Sequence, residues 1–318
     1  MEPHLVSVLV PTYNAGGLGV AAVRSALAQS YTNLEIVIVD DGSADDTVEL
    51  LSQIDDPRIR IHSQANAGPA AACNAALRLA RGVYIALLDH DDLWAPAKLT
   101  LQIGVMDSNP TLDMTFTWSR LIDENGEPSG LCSNRWRGTL SFEQMVADFV
   151  VGNTSSVVLR RDAMMAAGEF DPSFHLYYDM DLFLRVANLR PANCASVPVD
   201  LTFYRRHATQ ISADWRGMKA EWQRLLKKLR PLAPPTSLHR GDANMHRYFA
   251  FLAYERRLFG EALQLLAECY RLTGAAGLTD IRNWKLTLAS FAGLLLPRSA
   301  HAGMESLAGI HRNGAKKK

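Results

Sequence analysis

A chain of 318 residues is long enough for one large domain plus a small one and for a substantial buried core. Its apolar share of 48% and charged share of 21% are those of an ordinary folded protein. The 33 Lys and Arg balance 33 Asp and Glu, so no global field attracts nucleic acid or repels anionic substrates, and any basic function is local.

The elements read off in chain order alternate between strand and helix. Residues 5–10, LVSVLV, form an apolar run ended by Pro11 and predict a buried strand; 21–28 has helical spacing. LEIVIV at 34–39 predicts a second strand that stops at Asp40-Asp41-Gly42, and 47–54 a helix with acids near its start. A brief strand at 59–62 precedes an Ala-rich helix over 69–81, capped by Gly82. VYIALL at 83–88 is another buried strand, ending at Asp89. Beyond it, 98–106 and 179–188 read as helices, 114–118 and 155–159 as strands, and 123–128 as a tight turn. This alternation predicts an α/β fold with a mainly parallel sheet flanked by helices, whose ligands bind at the strands' carboxyl ends. Three of those ends carry PTYN, DDGS and DHDD.

After residue 214 strand signals fade and four helices are predicted, over 214–230, 242–257, 260–272 and 280–295, with a break at Pro231, Pro234 and Pro235. The division expected is 1–213 for the α/β domain and 214–318 for a helical C-terminal region. The middle two helices are similar to one tetratricopeptide unit, but a lone unit cannot bury its own face, and a helical appendage is the simpler reading. Trp284-Lys285-Leu286, the apolar stretch to Leu296, Arg298, His301 and Lys316–Lys318 suit either a helix packed on the protein or one lying in a membrane interface.

Cys73, Cys132, Cys194 and Cys269 are scattered without a CxxC pair, which argues against a disulfide framework or a zinc site and fits a reducing cytoplasm. The N-terminus lacks the basic start and long apolar run of a signal peptide, and the longest apolar stretch, 286–297, is about half a membrane span. The expected location is the cytoplasm, either soluble or peripheral on the inner face of the cell membrane.

The run Leu87-Leu88-Asp89-His90-Asp91-Asp92 carries the most chemistry. An apolar strand delivers two carboxylates to its exposed end, and Mg²⁺ or Mn²⁺ prefers such oxygen ligands beside substrate phosphates. Taken alone it reads more simply as a solvated acidic turn that follows a strand. A competing reading, a dinucleotide fingerprint at Gly17-Leu18-Gly19 with Asp40 downstream, requires the first glycine right after the strand, whereas Pro11 to Gly16 intervene.

PTYN at 11–14, VDDGSADDT at 39–47, NAGPAAACNAAL at 66–77 and LLDHDDLWAPAKL at 87–99 occur in an order that resembles the family 2 glycosyltransferases of GT-A fold. The likeness continues through 168–172, Tyr178-Asp179 to Arg185, and 204–207, and covers roughly 5–212. It implies an inverting, metal-dependent transferase using a nucleotide-sugar donor, UDP-linked by family frequency, in polysaccharide, O-antigen or other glycoconjugate synthesis. Its acceptor would be a saccharide or lipid-linked sugar, and nucleic acid would be no partner. Carried over by position, Pro11, Thr12, Tyr13, Asn14, Asp40, Asp41, Asn66, Gly68 and Asp89 would surround the nucleotide. Asp91 with Asp89 would hold Mn²⁺ or Mg²⁺, and Asp179 would be the general base.

Two positions depart from that pattern: Tyr178 stands where the family has glutamate, and Cys73 where it often has arginine. On the substrate side, Trp94 would pack against acceptor or sugar, or anchor a loop; Asp181 would orient its neighbours, with Arg185 at i+4 to pair with it. Arg205 and His207 would reach the diphosphate, or form a solvated basic turn. His90 points away from the aspartates by strand alternation. Arg135-Trp136-Arg137 and 152–156 would line an acceptor groove. A non-catalytic nucleotide-sugar-binding or scaffold protein, holding a partner through its helical region, is the alternative function.

Overall fold

In the computed structural model, residues 3–133, 135–207, 210, 211 and 214–295 are described. The chain divides into two compact units, Met1–Met145 with Val150–Gln210, and Val146–Phe149 with Ile211–Lys318.

The first unit is built on a ten-stranded sheet. Its first half comprises β1 (Val6–Thr12), α1 (Gly16–Leu27), β2 (Leu34–Asp40), α2 (Thr47–Ser52), β3 (Ile59–Ser63), α3 (Pro69–Leu79) and β4 (Tyr84–Leu87). These strands lie parallel in the order β3-β2-β1-β4. Both faces of β1, β2 and β4 are covered, so their sequences are continuous apolar runs rather than alternating ones. Val8, Val10, Ile36, Ile38, Tyr84 and Leu88 form the centre of the core. The turn into β4 is closed by Gly82, where a Cβ would sit 2.5 Å from the Ser7 amide nitrogen. Gly17 and Gly19 lie inside α1, whose first amides, at Ala15 and Gly16, donate to Thr47 Oγ1 at 2.8 and 2.9 Å. The dinucleotide reading fails there, because those amides are already engaged.

The second half of the sheet is mixed. Next come β5 (Leu93–Trp94), α4 (Lys98–Ser108), β6 (Met114–Ile122), β7 (Pro128–Cys132), β8 (Thr139–Leu140) and α5 (Phe142–Asp148). They are followed by β9 (Val157–Arg160), α6 (Arg161–Ala167), α7 (Tyr178–Ala187) and β10 (Cys194–Arg205). β9 slots antiparallel between β4 and β6, β10 runs parallel to β6, and β5 pairs antiparallel with β10. Residues 155 and 156, expected to begin a strand, fall instead in a 3-10 turn, Thr154–Ser156, ahead of β9.

The second unit contains α8 (Trp215–Leu229), α9 (Pro235–Glu255), α10 (Phe259–Thr273), α11 (Ala275–Thr279) and α12 (Ile281–Leu295), packed around Trp222, Phe249, Ala262 and Leu266. α9 starts seven residues earlier than expected: Pro235 occupies the first turn, where its missing N–H costs nothing. Val146–Phe149 joins this unit through Phe149, edge-on to Trp222 at 4.9 Å, and through the Asn244 amide donating to the Ala147 carbonyl at 2.7 Å. α12 is apolar on two faces. Leu286, Ala289 and Ser290 turn inward, while Ile281, Trp284, Leu288, Phe291 and Leu295 are exposed, Leu288 by 60%. No described helix is long and apolar enough to cross a membrane. Arg298, His301 and Lys316–Lys318 lie outside the described residues.

Candidate active site

The register of β1, β2 and β4 brings three loops to one edge of the sheet. Thr12 is level with Asp40, and Leu9 with Leu87, so residues 11–14, 40–42 and 89–92 emerge side by side. Strand order reverses between β1 and β4, which is where such a sheet opens a crevice.

The 40–42 loop is knit to its neighbours. Asp41 accepts from Gln64 Nε2 (2.7 Å) and from the amides of Ala67 (2.9 Å) and Gly68 (2.8 Å). Its carboxylate thus shapes the 66–68 turn, and its oxygens are largely spent on that. Gly68 takes φ 90° just before the proline that opens α3, and Gly42 takes φ 77° where a Cβ would lie 3.0 Å from the Asn66 amide nitrogen. Asp40 is buried and accepts only long contacts, 3.3 Å, from the Ser43 amide. Asn14 braces the loop opposite, accepting from the Ala44 amide at 2.9 Å. Tyr13 and Asn66 are exposed. Thr12 does not face the crevice: it is buried, with its hydroxyl on the Val39 carbonyl, because strand alternation turns it into the sheet.

Asp89, Asp91, Asp92 and Asp179 form one electrostatic cluster. Burial pushes the Asp89 carboxyl well above the usual range, and the charges of Asp91 and Asp179 add to it. Burial also raises Asp92, reinforced by Asp91 and Asp89, although Asp92 accepts from the Arg205 amide at 2.8 Å. For Asp91 burial is outweighed by the hydrogen bond with His207 and by the nearby imidazoles, so its carboxyl is held low. His207 Nε2 lies 2.9 Å from Asp91 Oδ2. His90 turns away, its Nδ1 3.3 Å from the Pro11 carbonyl.

Asp179 stands in the first turn of α7. Burial raises its carboxyl, opposed by hydrogen bonds from the Thr154 hydroxyl to Oδ2 (2.8 Å) and the Met180 amide to Oδ1 (2.7 Å). The neighbouring Tyr178 is buried beside Cys73 and the same aspartates, and its hydroxyl is driven far above its ordinary range. Behind them the Asn74 amide and carbonyl clamp the Phe170 backbone at 2.8 and 2.9 Å.

Three residues expected near substrate do other work. Trp94 is 4% exposed: its Nε1 donates to the Ser155 carbonyl at 2.8 Å and the Lys98 ammonium nitrogen lies 4.1 Å from its ring centre. No face remains for a sugar. Arg205, also 4% exposed, donates to the carbonyls of Asp91 (2.7 Å), Asp123 and Glu124, so it ties β10 to the acidic loop and has no reach to a diphosphate. Asp181 is buried and accepts from Arg185 Nε at 2.9 Å; Arg185 in turn donates to the carbonyls of Gly168 and Glu169. That pair holds the loop before α7. Residues 153–156 are buried as well and line no groove.

Among the described residues no three His, Cys, Asp or Glu side chains converge as a ready ligand set. The donors present are nonetheless hard oxygens and one imidazole, and the raised carboxyls of Asp89 and Asp92 mark a deficit of positive charge that a divalent cation fits.

Residues 7–162 match the family described as Glycosyl transferase family 2. A UDP-Glc:alpha-D-GlcNAc-diphosphoundecaprenol beta-1,3-glucosyltransferase, WfaP of Escherichia coli, is 45% identical over 215 residues, covering 66% of this chain and 81% of that one. A chondroitin synthase of Escherichia coli is 33% identical over 189 residues, 59% of this chain, and the chain spans 27% of its length. Among solved structures, residues 1–349 of Staphylococcus aureus TarS in complex with UDP-GlcNAc superpose with a TM-score of 0.61 at 15% identity, covering 95% of this chain and 90% of that one. A Pyrobaculum calidifontis mannosyltransferase with GDP-Man and Mn²⁺ gives 0.54 at 18% identity, covering 98% and 88%. At such identities the likeness shows the fold, a GT-A architecture, and the sequence relatives carry the rest. With the strand-end motifs, the clustered aspartates and these relatives together, the chain belongs to glycosyl transferase family 2.

Proposed function

We propose that this glycosyltransferase moves a hexosyl group from a UDP-sugar to a hydroxyl of a lipid-linked saccharide, inverting the anomeric centre. The observation that carries the reading is Asp179, a half-buried carboxylate held by two donors within the same cluster as Asp89 and Asp91. In the step inferred, an acceptor hydroxyl gives its proton to Asp179 as its oxygen bonds to the anomeric carbon. The bond from that carbon to the diphosphate oxygen breaks on the opposite face, and the nucleoside diphosphate leaves with the electron pair. Asp40, with acceptor capacity unspent, takes a hydrogen bond from the base, while Asp41 supports the 66–68 turn around the nucleotide. Pro11, Tyr13, Asn14, Asn66 and Gly68 frame that pocket.

Asp91 and Asp89 would hold Mn²⁺ or Mg²⁺, with His207 beside them, and the ion would supply charge stabilisation to the departing diphosphate. The acceptor class is taken from relatives such as WfaP, whose name specifies GlcNAc-diphosphoundecaprenol. An acceptor of that kind places the reaction at a membrane face, and the outward stripe of α12 is the contact we propose for it. The same reading assigns residues 1–213 to catalysis.

A thermal-shift panel of nucleotide sugars, with and without Mn²⁺, tests the donor: a UDP-sugar should raise the melting temperature, and more so with metal. Asp91→Ala and Asp179→Ala should keep the fold and lose transfer. NMR of the product settles the stereochemistry, and a retained anomeric configuration would sink the inverting mechanism. Binding of donor without transfer or hydrolysis would instead favour the scaffold reading.

A further inference from the structure

The turn Asn153–Ser156 is polar at every position and buried throughout, Thr154 being 6% exposed and both serines 0%. Buried hydroxyls are costly unless bonded, and the partners these find belong to the site or to the elements that carry it. Thr154 Oγ1 donates to Asp179 Oδ2 at 2.8 Å. Ser155 Oγ accepts from the Asp89 amide at 3.0 Å, while its carbonyl accepts from Trp94. The Ser156 carbonyl is held by Gln102 of α4 at 3.1 Å, and Asn153 Nδ2 by the Ser119 hydroxyl of β6 at 2.8 Å. Two adjacent residues therefore tie the Asp179 carboxylate and the Asp89 backbone, which arrive on different parts of the chain.

For Asp179 the consequence is orientation. The Met180 amide is on its own helix and fixes Oδ1 only locally; the Thr154 hydroxyl comes from 25 residues away and fixes Oδ2 against the sheet. With both oxygens tied, the plane of the carboxylate is set, and each oxygen keeps a lone pair for a substrate proton. We propose that Thr154 is a positioning residue for glycosyl transfer: its hydroxyl sets the angle at which Asp179 meets the acceptor and registers that base against the Asp89 strand end. The inference rests on Asp179 being the general base.

Thr154→Val is nearly isosteric and removes only the hydroxyl. With UDP-glucose, Mn²⁺ and a GlcNAc-diphospholipid acceptor, it should lower kcat about 30-fold, the scale of a misplaced catalytic group. Donor KM should stay within about threefold, since the hydroxyl donates to the base and not to the donor. Thr154→Ser should recover kcat to within about threefold of wild type, which a simple packing role would not give. In crystals of Thr154→Val the Asp179 carboxylate should leave its wild-type orientation. Wild-type turnover in Thr154→Val beside an inactive Asp179→Asn overturns the positioning role and leaves the base assigned. Wild-type turnover in Asp179→Asn overturns the base instead. If the Asp179 carboxylate keeps its orientation in Thr154→Val crystals, the geometric claim fails whatever the donor.

Discussion

Lys98 is the residue whose environment is most at odds with its chemistry. It is fully buried, its ammonium nitrogen has no hydrogen-bond partner, and its contact is the face of Trp94 at 4.1 Å. A cation–π contact offsets part of the desolvation of a buried ammonium but replaces no hydrogen bonds. Burial accordingly pulls the amine well below its usual range. The folded state therefore binds this proton less readily than the unfolded chain, and stability rises with pH through the folded value up to about 10.4. We expect Lys98→Met to melt about 3 °C above wild type at pH 7, with the gap shrinking toward pH 10 as the wild-type amine sheds its proton in both states. Calorimetry of the two proteins across that range checks it; a gap independent of pH would show that packing, not charge, sets the difference. Arg205 makes the opposite case. Its guanidinium is buried but spends its donors on three carbonyls, so it belongs to the frame.

Elements were more legible than their partners. The strands ending at Thr12, Asp40 and Leu87 could be read because burial on both faces leaves uninterrupted apolar runs, and polar residues start where each strand stops. The insertion of β9 between β4 and β6 could not, since four apolar residues state a strand but not its neighbours. Nor could the burial of Trp94 and Arg205: the Arg205 contact with Asp91 spans 114 residues of sequence, which no periodicity reports. Thr154 could be read only as part of the 152–156 stretch expected along an acceptor groove, because a hydroxyl in a loop does not report that it is buried against a carboxylate 25 residues away. At α12 the local chemistry is clear. Asp280 caps the helix, accepting from the Arg282 amide at 2.9 Å and pairing with the side chains of Arg282 and Arg247, which holds its carboxyl at about 2. A depressed carboxyl stabilises above its unfolded value near 3.9, and the contribution is lost as pH falls through the folded one. The group is partly solvated, so we expect Asp280→Asn to cost about 1 kcal/mol at pH 6 by urea unfolding. The difference from wild type should fade between about pH 4 and 2; an equal cost at both ends would rule out the ionic origin.

At the scale of the whole molecule the neutral net charge conceals an asymmetry. Residues 281–318 hold seven Lys or Arg and one acid, so the remaining 280 carry 26 bases and 32 acids. The same segment opens with α12, whose inward face is fastened by Leu286, Ala289 and Asn283, leaving the helix unable to roll its exposed stripe out of water. Ile281, Trp284, Leu288, Phe291 and Leu295 recur at three and four residues along that outer face, and Leu295 is 79% exposed. Apolar side chains in a row, a tryptophan among them and basic charge in the same segment are what an anionic lipid surface accepts. We expect the full chain to co-sediment with vesicles containing phosphatidylglycerol, to release in high salt, and to bind phosphatidylcholine alone at least tenfold more weakly. Leu288→Glu with Phe291→Glu should abolish the binding while leaving hydrolysis of UDP-glucose in solution unchanged, because neither residue contributes to the aspartate cluster. A stripe that instead joins two copies would give a dimer by light scattering that the same substitutions dissociate, with no vesicle binding in either form. That result would assign the face to self-association and remove the membrane contact from the proposed function.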